Sequence, residues 1–142
     1  MQTVTIDRDF TAPPERVFNY LAEHENLEPL FGAKVKRISD GNDGTRNGPG
    51  SAREMRMNPL LPPFVETTTE VVPNELIRYR ITKGSPLRGH EGVMRFTPTA
   101  NGGTHLHYEI TFGAVVPGVD RVVAAMLRRT VPRGLDKVDG AA

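Results

Sequence analysis

The sequence has no cysteine, and this absence excludes disulfide bonds, thiolate catalysis and cysteine-ligated zinc. It has no apolar stretch near the roughly 20 residues that a helix needs to cross a bilayer, and no basic segment followed by an apolar run at its N-terminus. Neither sign of charge dominates, because 18 Lys and Arg residues face 17 Asp and Glu residues. No basic stripe alternates with aromatic residues, which argues against nucleic-acid binding. We therefore expect a soluble, cytoplasmic protein in which residues 1–142 form a single domain.

The motifs of several enzyme classes are also missing. No Ser/His/Asp set stands out, and no pair of carboxylates suited to general acid–base catalysis. The glycines between Gly41 and Gly50 do not make a phosphate-binding loop, because neither a helix start nor a Lys-Ser/Thr pair follows them. The sequence implies no cofactor.

The most clearly patterned segment is the last one, residues 118–138. Its apolar residues recur at steps of three, four and seven, the spacing of one helix face; they are Val119, Val122, Val123, Met126, Leu127, Val131, Leu135 and Val138. Proline removes a backbone donor and clashes with the preceding turn, so Pro132 predicts a kink or a break near Thr130–Val131. This is the only long helix predicted, and its apolar stripe needs a surface to pack on.

Strands supply that surface. A strand over residues 2–10 leads into a helix that starts at Pro13 or Pro14, and a short second helix covers residues 25–31. From residue 33 onward the apolar residues alternate with a period of two, which predicts strands over 34–39, 51–57, 65–72, 76–82, 90–97 and 105–112. Short strands joined by hairpin-length turns form an antiparallel meander. The predicted fold class is α+β: a curved antiparallel sheet of about seven strands (β-α-α-β6-α) wrapped around a long C-terminal helix.

Alternation also sorts the strand residues between the two faces of the sheet. The inward set is mostly apolar and is predicted to face the last helix: Met55, Met57, Thr67, Thr69, Val71, Ile77, Tyr79, Ile81, Met94, Phe96, Leu106, Tyr108, Ile110 and Phe112. The outward set is nearly all charged or histidine, as expected for a solvated face with cross-strand ion pairs: Glu54, Arg56, Glu66, Glu70, Arg78, Arg80, Glu91, Arg95, His105, His107 and Glu109.

The start of the chain resembles a known family. The run Val4-Thr5-Ile6-Asp7 leads into Ala12-Pro13-Pro14-Glu15-Arg16-Val17-Phe18-Asn19-Tyr20-Leu21. The START-like (SRPBCC) superfamily typically has a first strand that runs into an A-x-x-E-x-V-(F/W) helix start in this way. The turn at residues 47–50 and the closing helix are also similar to this superfamily, which has the helix-grip fold and includes the Bet v 1 allergens and the polyketide cyclase/dehydrase-like proteins. Its members share a cavity but no common catalytic motif, so the resemblance indicates a fold rather than a reaction.

The resemblance implies a hollow between sheet and helix that holds a lipid, sterol, polyketide or other apolar molecule. An apolar pocket with a few placed polar groups is typical of a small-molecule site. A filled core, in which the tyrosine hydroxyls find backbone or water partners, is the alternative. The residues predicted to bind the ligand are Met55, Met57, Thr67, Thr69, Ile77, Tyr79, Met94, Phe96, Leu106, Tyr108, Ile110, Val122, Val123, Met126 and Leu127.

Catalytic candidates inside that hollow are few. His90 has inward parity, and beside a tyrosine such as Tyr108 it would suit general acid–base chemistry. A histidine at a loop edge with no catalytic role is the preferred interpretation. Arg53 shares the parity of Met55, and an inward Arg53 would anchor a carboxylate or polarise a carbonyl. If its strand carries a bulge, Arg53 lies on the surface instead.

A metal site is a second possibility on another part of the sheet. His105, His107 and Glu109 lie two apart on one strand face, a spacing that can place two imidazoles on one metal ion. No further ligand is evident, and a solvated outer face explains the same residues. We therefore predict no metal site.

Three functions stay open at this point. The preferred one is binding of an apolar or aromatic small molecule, because no catalytic cluster is evident. The second is a cyclase- or dehydrase-type enzyme acting in the same cavity, and the third is an interaction or regulatory module without a ligand. The protein is expected to be a monomer or a homodimer. The loop 59–64, with Leu60, Leu61 and Phe64, is predicted to form part of a pocket rim or lid, or a dimer contact.

Overall fold

The computed structural model describes residues 1–142. Its strands are β1 (Gln2–Phe10), β2 (Lys34–Ser39), β3 (Ala52–Arg56), β4 (Phe64–Val72), β5 (Leu76–Lys83), β6 (Leu87–Pro98) and β7 (Thr104–Ala114). Its helices are α1 (Pro14–Ala22), α2 (Glu28–Phe31), α3 (Val119–Leu135) and α4 (Val138–Ala141), and a turn of 3₁₀ helix spans His24–Leu27. The predicted α+β fold class is confirmed. Strand β6 begins at Leu87 rather than at the predicted His90.

The seven strands form one antiparallel sheet in the order β1-β7-β6-β5-β4-β3-β2. From β2 to β7, strands that follow one another in the chain are neighbours in the sheet. The first connection differs, because α1 and α2 carry the chain from one edge of the sheet to the other. Strand β1 therefore pairs with β7, with Gln2 opposite Phe112. Helix α3 and the inner face of the sheet form one hydrophobic core. None of the helices has the length and hydrophobicity of a membrane-spanning segment.

Helix α3 approaches α2 closely at Gly134. A Cβ atom at this position would lie 2.5 Å from Leu30 Cα and 2.7 Å from the carbonyl oxygen of Pro29. Any other residue would therefore push the two backbones apart. This contact holds the C-terminal end of α3 against α2.

The predicted apolar stripe of α3 needs one correction. Val122 is predicted to bind the ligand, but it is 71% exposed. Successive helix residues are about 100° apart, which puts Val122 about 140° around the helix from the buried Leu127, and Ala124 occupies a buried position instead. Of the kink or break predicted at Pro132, the break does not occur, because α3 continues through this residue to Leu135.

Strand β4 reverses its alternation at a bulge. Its register with β5 shifts between Thr68 and Glu70, and a bulge changes which residues face each side. Glu66 and Thr68 therefore point inward and are buried. Thr67 and Thr69 point outward and do not line the pocket, so their predicted inward placement is wrong.

The rest of the outer face carries cross-strand ion pairs, as predicted. Arg78 on β5 contacts Glu70 on β4 at 3.0 Å and Glu91 on β6 at 2.8 Å. Pairs at this exposure contribute little to stability, about 0–1 kcal/mol each. The charged face keeps this side of the sheet in water and leaves the inner face to form the site.

Candidate functional site

A pocket of about 550 Å³ lies between the inner face of the sheet and the first half of α3. The exposed lining residues Leu61, Pro62 and Pro86 lie in the loops before β4 and β6, so these loops mark its mouth. Most of its wall is apolar and comes from five strands, two helices and the loop between β3 and β4: Phe31, Met55, Met57, Leu61, Phe64, Ile81, Leu87, Ile110, Val119, Val123, Met126 and Leu127.

Part of the pocket wall is formed where β5 and β6 separate. These two strands stay paired only as far as Tyr79 opposite Gly92. Because Gly92 has no side chain, the Tyr79 ring can lie directly against its backbone. Beyond this point the His90 side chain replaces the strand partner, since its Nδ1 accepts a hydrogen bond from the Ile81 backbone N–H at 3.0 Å.

The inner end of the pocket is polar. Glu66 on β4 and Arg53 on β3 form a buried ion pair whose side chains are 5% and 3% exposed. Arg53 Nε and Nη2 both donate to Glu66 Oε1, at 3.1 and 2.9 Å, and Nη1 donates to the Thr68 hydroxyl at 3.3 Å. The guanidinium carbon lies 4.9 Å from the centre of the Tyr79 ring, a cation–π contact. Arg53 is thus enclosed, and only Glu66 of the pair lines the pocket.

His90 lines the same end as a neutral imidazole. Burial lowers the pKa of His90 below its usual range. Because Nδ1 accepts the Ile81 N–H, the single ring proton is assigned to Nε2. Nε2 lies 4.0 Å from Glu66 Oε2, beyond hydrogen-bond distance. The inner end of the pocket therefore has one hydrogen-bond donor, the His90 Nε2–H, and one acceptor, Glu66 Oε2, which are too far apart to bond to each other.

Two tyrosines stand beside this polar end. The hydroxyls of Tyr79 and Tyr108 are hydrogen-bonded to each other, and burial raises the pKa of both phenols. Both therefore stay protonated at neutral pH. Tyr79 lines the pocket, whereas Tyr108 lies behind it. Of the two predicted catalytic candidates, His90 reaches the pocket and Tyr108 does not.

A second buried imidazole lies near Arg53. His24 Nε2 is 3.2 Å from Ser51 Oγ, and His24 Nδ1 has no hydrogen-bond partner. Burial, and after it the positive charges of Arg53 and Arg37, lower the pKa of His24 to about 3. His24 is therefore neutral in the folded protein at neutral pH.

The predicted ligand-binding residues fall into three groups. Met55, Met57, Tyr79, Ile110, Val123, Met126 and Leu127 line the pocket. Ile77, Met94, Phe96, Leu106 and Tyr108 are buried but lie in the core around it. Thr67, Thr69 and Val122 point away, for the reasons given above. In the loop 59–64, Leu61 and Phe64 line the pocket, whereas Leu60 is exposed.

Glu66 is the site residue that strict alternation misses. Regular pairing along β4 assigns it to the outer face, and the bulge brings it inside. One signal points to it, because Arg53 has inward parity and a buried arginine needs an acidic partner. The partner has to come from an adjacent strand at the same level, and Glu66 is opposite Arg53 in the β3–β4 pair.

The histidines of the outer face are engaged with carboxylates. Asp7 Oδ1 lies 3.0 Å from His105 Nε2 and 2.7 Å from His107 Nδ1, and His107 Nε2 lies 2.7 Å from Glu109 Oε1. Hydrogen bonds, chiefly to Asp9 for His105 and to Asp7 for His107, raise the pKa of both imidazoles. No group of three or more His, Asp or Glu side chains in the structure is arranged to hold a metal ion.

A curved antiparallel sheet around a long C-terminal helix defines the helix-grip fold of START-like proteins. Residues 1–142 match the family described as polyketide cyclase/dehydrase and lipid transport, and the chain belongs to this family. No curated protein matches the chain in sequence.

Solved structures share this fold over nearly the whole chain. TTHA0849 from Thermus thermophilus has a TM-score of 0.75 and 18% identity, covering 98% of this chain and 95% of that one. A START superfamily protein from Mycobacterium smegmatis has a TM-score of 0.71 and 14% identity, covering 98% and 95%. The Aha1 dimer from Colwellia psychrerythraea has a TM-score of 0.71 and 13% identity, covering 98% and 97%. These identities establish a common fold and nothing finer.

Proposed function

We propose that the protein binds an apolar or aromatic small molecule in the pocket between the sheet and α3. One observation carries this proposal: a cavity of about 550 Å³ has an almost continuous apolar wall and a few buried polar groups at its inner end. Cavities of this size and composition are typical of small-molecule sites. The description of the family, which includes lipid transport, supports the same class of ligand.

Two neighbouring residues of α3 provide a matched test. Val123 lines the pocket, whereas Val122 points to solvent. Val123→Trp and Val122→Trp make the same change one position apart, and only the first places an indole in the cavity. Titration with N-phenyl-1-naphthylamine, a neutral dye that fluoresces in apolar surroundings, should show saturable binding to the wild type and to Val122→Trp. Binding to Val123→Trp should be at least tenfold weaker.

The circular dichroism and melting temperature of both variants must match those of the wild type for this comparison to apply. Equal affinity of the two variants would locate the dye outside the pocket and reject the proposal. The absence of saturable binding to the wild type would reject it as well.

An enzyme acting in the same pocket is the second candidate, and His90 and Glu66 favour it. A neutral imidazole beside a carboxylate is able to move a proton during a dehydration. The test compares the wild type with His90→Phe on 4-hydroxy-4-phenylbutan-2-one, which loses a C–H proton and its hydroxyl as water to give an absorbing enone. A rate equal to that in buffer would count against this candidate.

A further inference from the structure

Two polar atoms at the inner end of the pocket lack a hydrogen-bond partner in the protein. Both donors that reach the Glu66 carboxylate bind Oε1, which leaves Oε2 free. The Nδ1 atom of His90 is occupied by the Ile81 N–H, which leaves the Nε2–H free. The free acceptor and the free donor lie 4.0 Å apart, and both residues line the pocket.

One oxygen atom fits between them. Hydrogen bonds between such atoms are about 2.8 Å long, so an oxygen placed beside the pair reaches both atoms at once. A hydroxyl oxygen accepts from the His90 Nε2–H and donates its own proton to Glu66 Oε2. A ketone or ether oxygen accepts from His90 but turns a lone pair toward the Glu66 carboxylate.

Charged ligand groups fit this position less well. A carboxylate would lie against Glu66, whose charge it would repel. An ammonium group would satisfy Glu66 but would face the N–H donor of His90, and Arg53 already neutralises the Glu66 charge at 2.9 Å. The pair therefore complements a neutral group that both donates and accepts.

We infer that Glu66 and His90 select a ligand with a hydroxyl group on an apolar body, an alcohol or a phenol whose hydroxyl reaches the inner end of the pocket. This inference rests on the proposed function, because it requires the ligand to occupy this pocket. It names the class of ligand: neutral hydroxylated molecules rather than fatty acids, ketones, ethers or hydrocarbons of the same size.

Four naphthalene compounds test the inference by displacing N-phenyl-1-naphthylamine from the wild type. They are 2-naphthol, 2-methoxynaphthalene, 2-naphthoate and naphthalene, which share one apolar body. Hydrogen bonds to charged groups are stronger than neutral ones, so 2-naphthol should bind at least about tenfold more tightly than the other three. Affinities of 2-naphthol and 2-methoxynaphthalene within threefold of each other would overturn the inference.

The variant Glu66→Gln should abolish the preference. Its amide oxygen would remain on the Arg53 donors, because these can only be met by an acceptor, so its NH₂ group would face the pocket. This donor serves the oxygen of 2-methoxynaphthalene as well as that of 2-naphthol, and no acceptor is left for the naphthol proton, so 2-naphthol should lose its advantage. His90→Phe removes the donor but keeps the acceptor, so it should reduce the advantage of 2-naphthol without abolishing it.

The outcomes separate this inference from the proposed function. Dye binding that is sensitive to Val123→Trp, together with no preference for 2-naphthol, overturns the hydroxyl selection and leaves the pocket as the binding site. Dye binding that Val123→Trp does not affect overturns both. If Glu66→Gln does not fold, the wild-type series and His90→Phe still decide the question.

Discussion

Replacing Arg53 with Met should destabilise the fold strongly, because Glu66 would keep a buried carboxylate without its partner. Removing one member of a buried ion pair costs about 3–5 kcal/mol. The two single variants should differ. After Arg53→Met the Glu66 carboxylate still faces the pocket, whereas after Glu66→Leu the enclosed guanidinium keeps only the Thr68 hydroxyl as a hydrogen-bond acceptor, besides the face of the Tyr79 ring. We expect a loss of about 3 kcal/mol for Arg53→Met and of nearly 5 kcal/mol for Glu66→Leu.

The double variant Arg53→Met/Glu66→Leu should be more stable than either single variant. Apolar side chains of similar volume replace a buried ion pair at little cost, since no charge is left unpaired. Since the single variants should lose about 3 and nearly 5 kcal/mol and the double variant less than either, the free energies of unfolding would give a coupling energy of at least about 5 kcal/mol between the two positions. Urea unfolding followed by circular dichroism measures all four proteins.

The pair Arg78–Glu91 is a matched control on the outer face. Its closest N–O distance is 2.8 Å, but its side chains are 29% and 46% exposed. Glu91→Leu should cost less than about 1 kcal/mol, and Arg78→Met, which also removes the ion pair with Glu70, less than about 2 kcal/mol. Our reasoning would be refuted if the Arg53 and Glu66 single variants also cost less than about 1 kcal/mol, or if the double variant lost the sum of the two.

Two further predictions concern residues outside the pocket. Gly134→Ala raises helix propensity but forces a Cβ against Leu30, so thermal unfolding should show a loss of about 1–3 kcal/mol in stability. The control Gly140→Ala, with open space around it, should be neutral or stabilising. Similar effects at both sites would contradict the close approach of α3 and α2. The pKa of His24 is about 3 in the folded protein and about 6.5 in the unfolded chain. Between these pH values the unfolded chain therefore binds a proton that the folded protein does not. The free energy of unfolding should fall as the pH drops from 6.5 toward 3, by up to about 1.4 kcal/mol per pH unit. His24→Gln should flatten this dependence of the unfolding free energy, and parallel curves for the two proteins would show that His24 does not titrate in this way.

The fold follows from periodicity because most elements keep one period from end to end. Strands β5 to β7 alternate cleanly, so Tyr79, Met94 and Ile110 are assigned to the correct face. The charges on the opposite face support the same assignment. The alternation of residue types does not show where a bulge occurs, however. A bulge reverses which side chains face the core beyond it, without any change in the kinds of residue along the strand. The error at β4 has this cause.

The site was less predictable than the fold, because it depends on where regular pairing stops. His90 reaches the pocket since β5 and β6 separate beyond Gly92, and Glu66 reaches it through the bulge in β4. Neither departure has a sequence signature as strong as the alternation around it. In α3 the error has another origin: the apolar pattern marks a stripe but not its centre, so it does not separate Val122 at the edge from the buried Leu127.

The pairing of β1 with β7 has a consequence for the order in which the chain folds during synthesis. Gln2 of β1 cannot pair with Phe112 of β7 until that residue has been synthesised, which takes the ribosome roughly 5–20 s more at usual rates of elongation. During this time β1 is an unpaired strand with Val4 and Ile6 along one side, the kind of edge that recruits other chains. Its opposite side carries Asp7 and Asp9, and charges at such positions oppose aggregation. We therefore expect the acidic residues that hold the histidines of β7 in the finished sheet to protect the nascent chain before β7 exists.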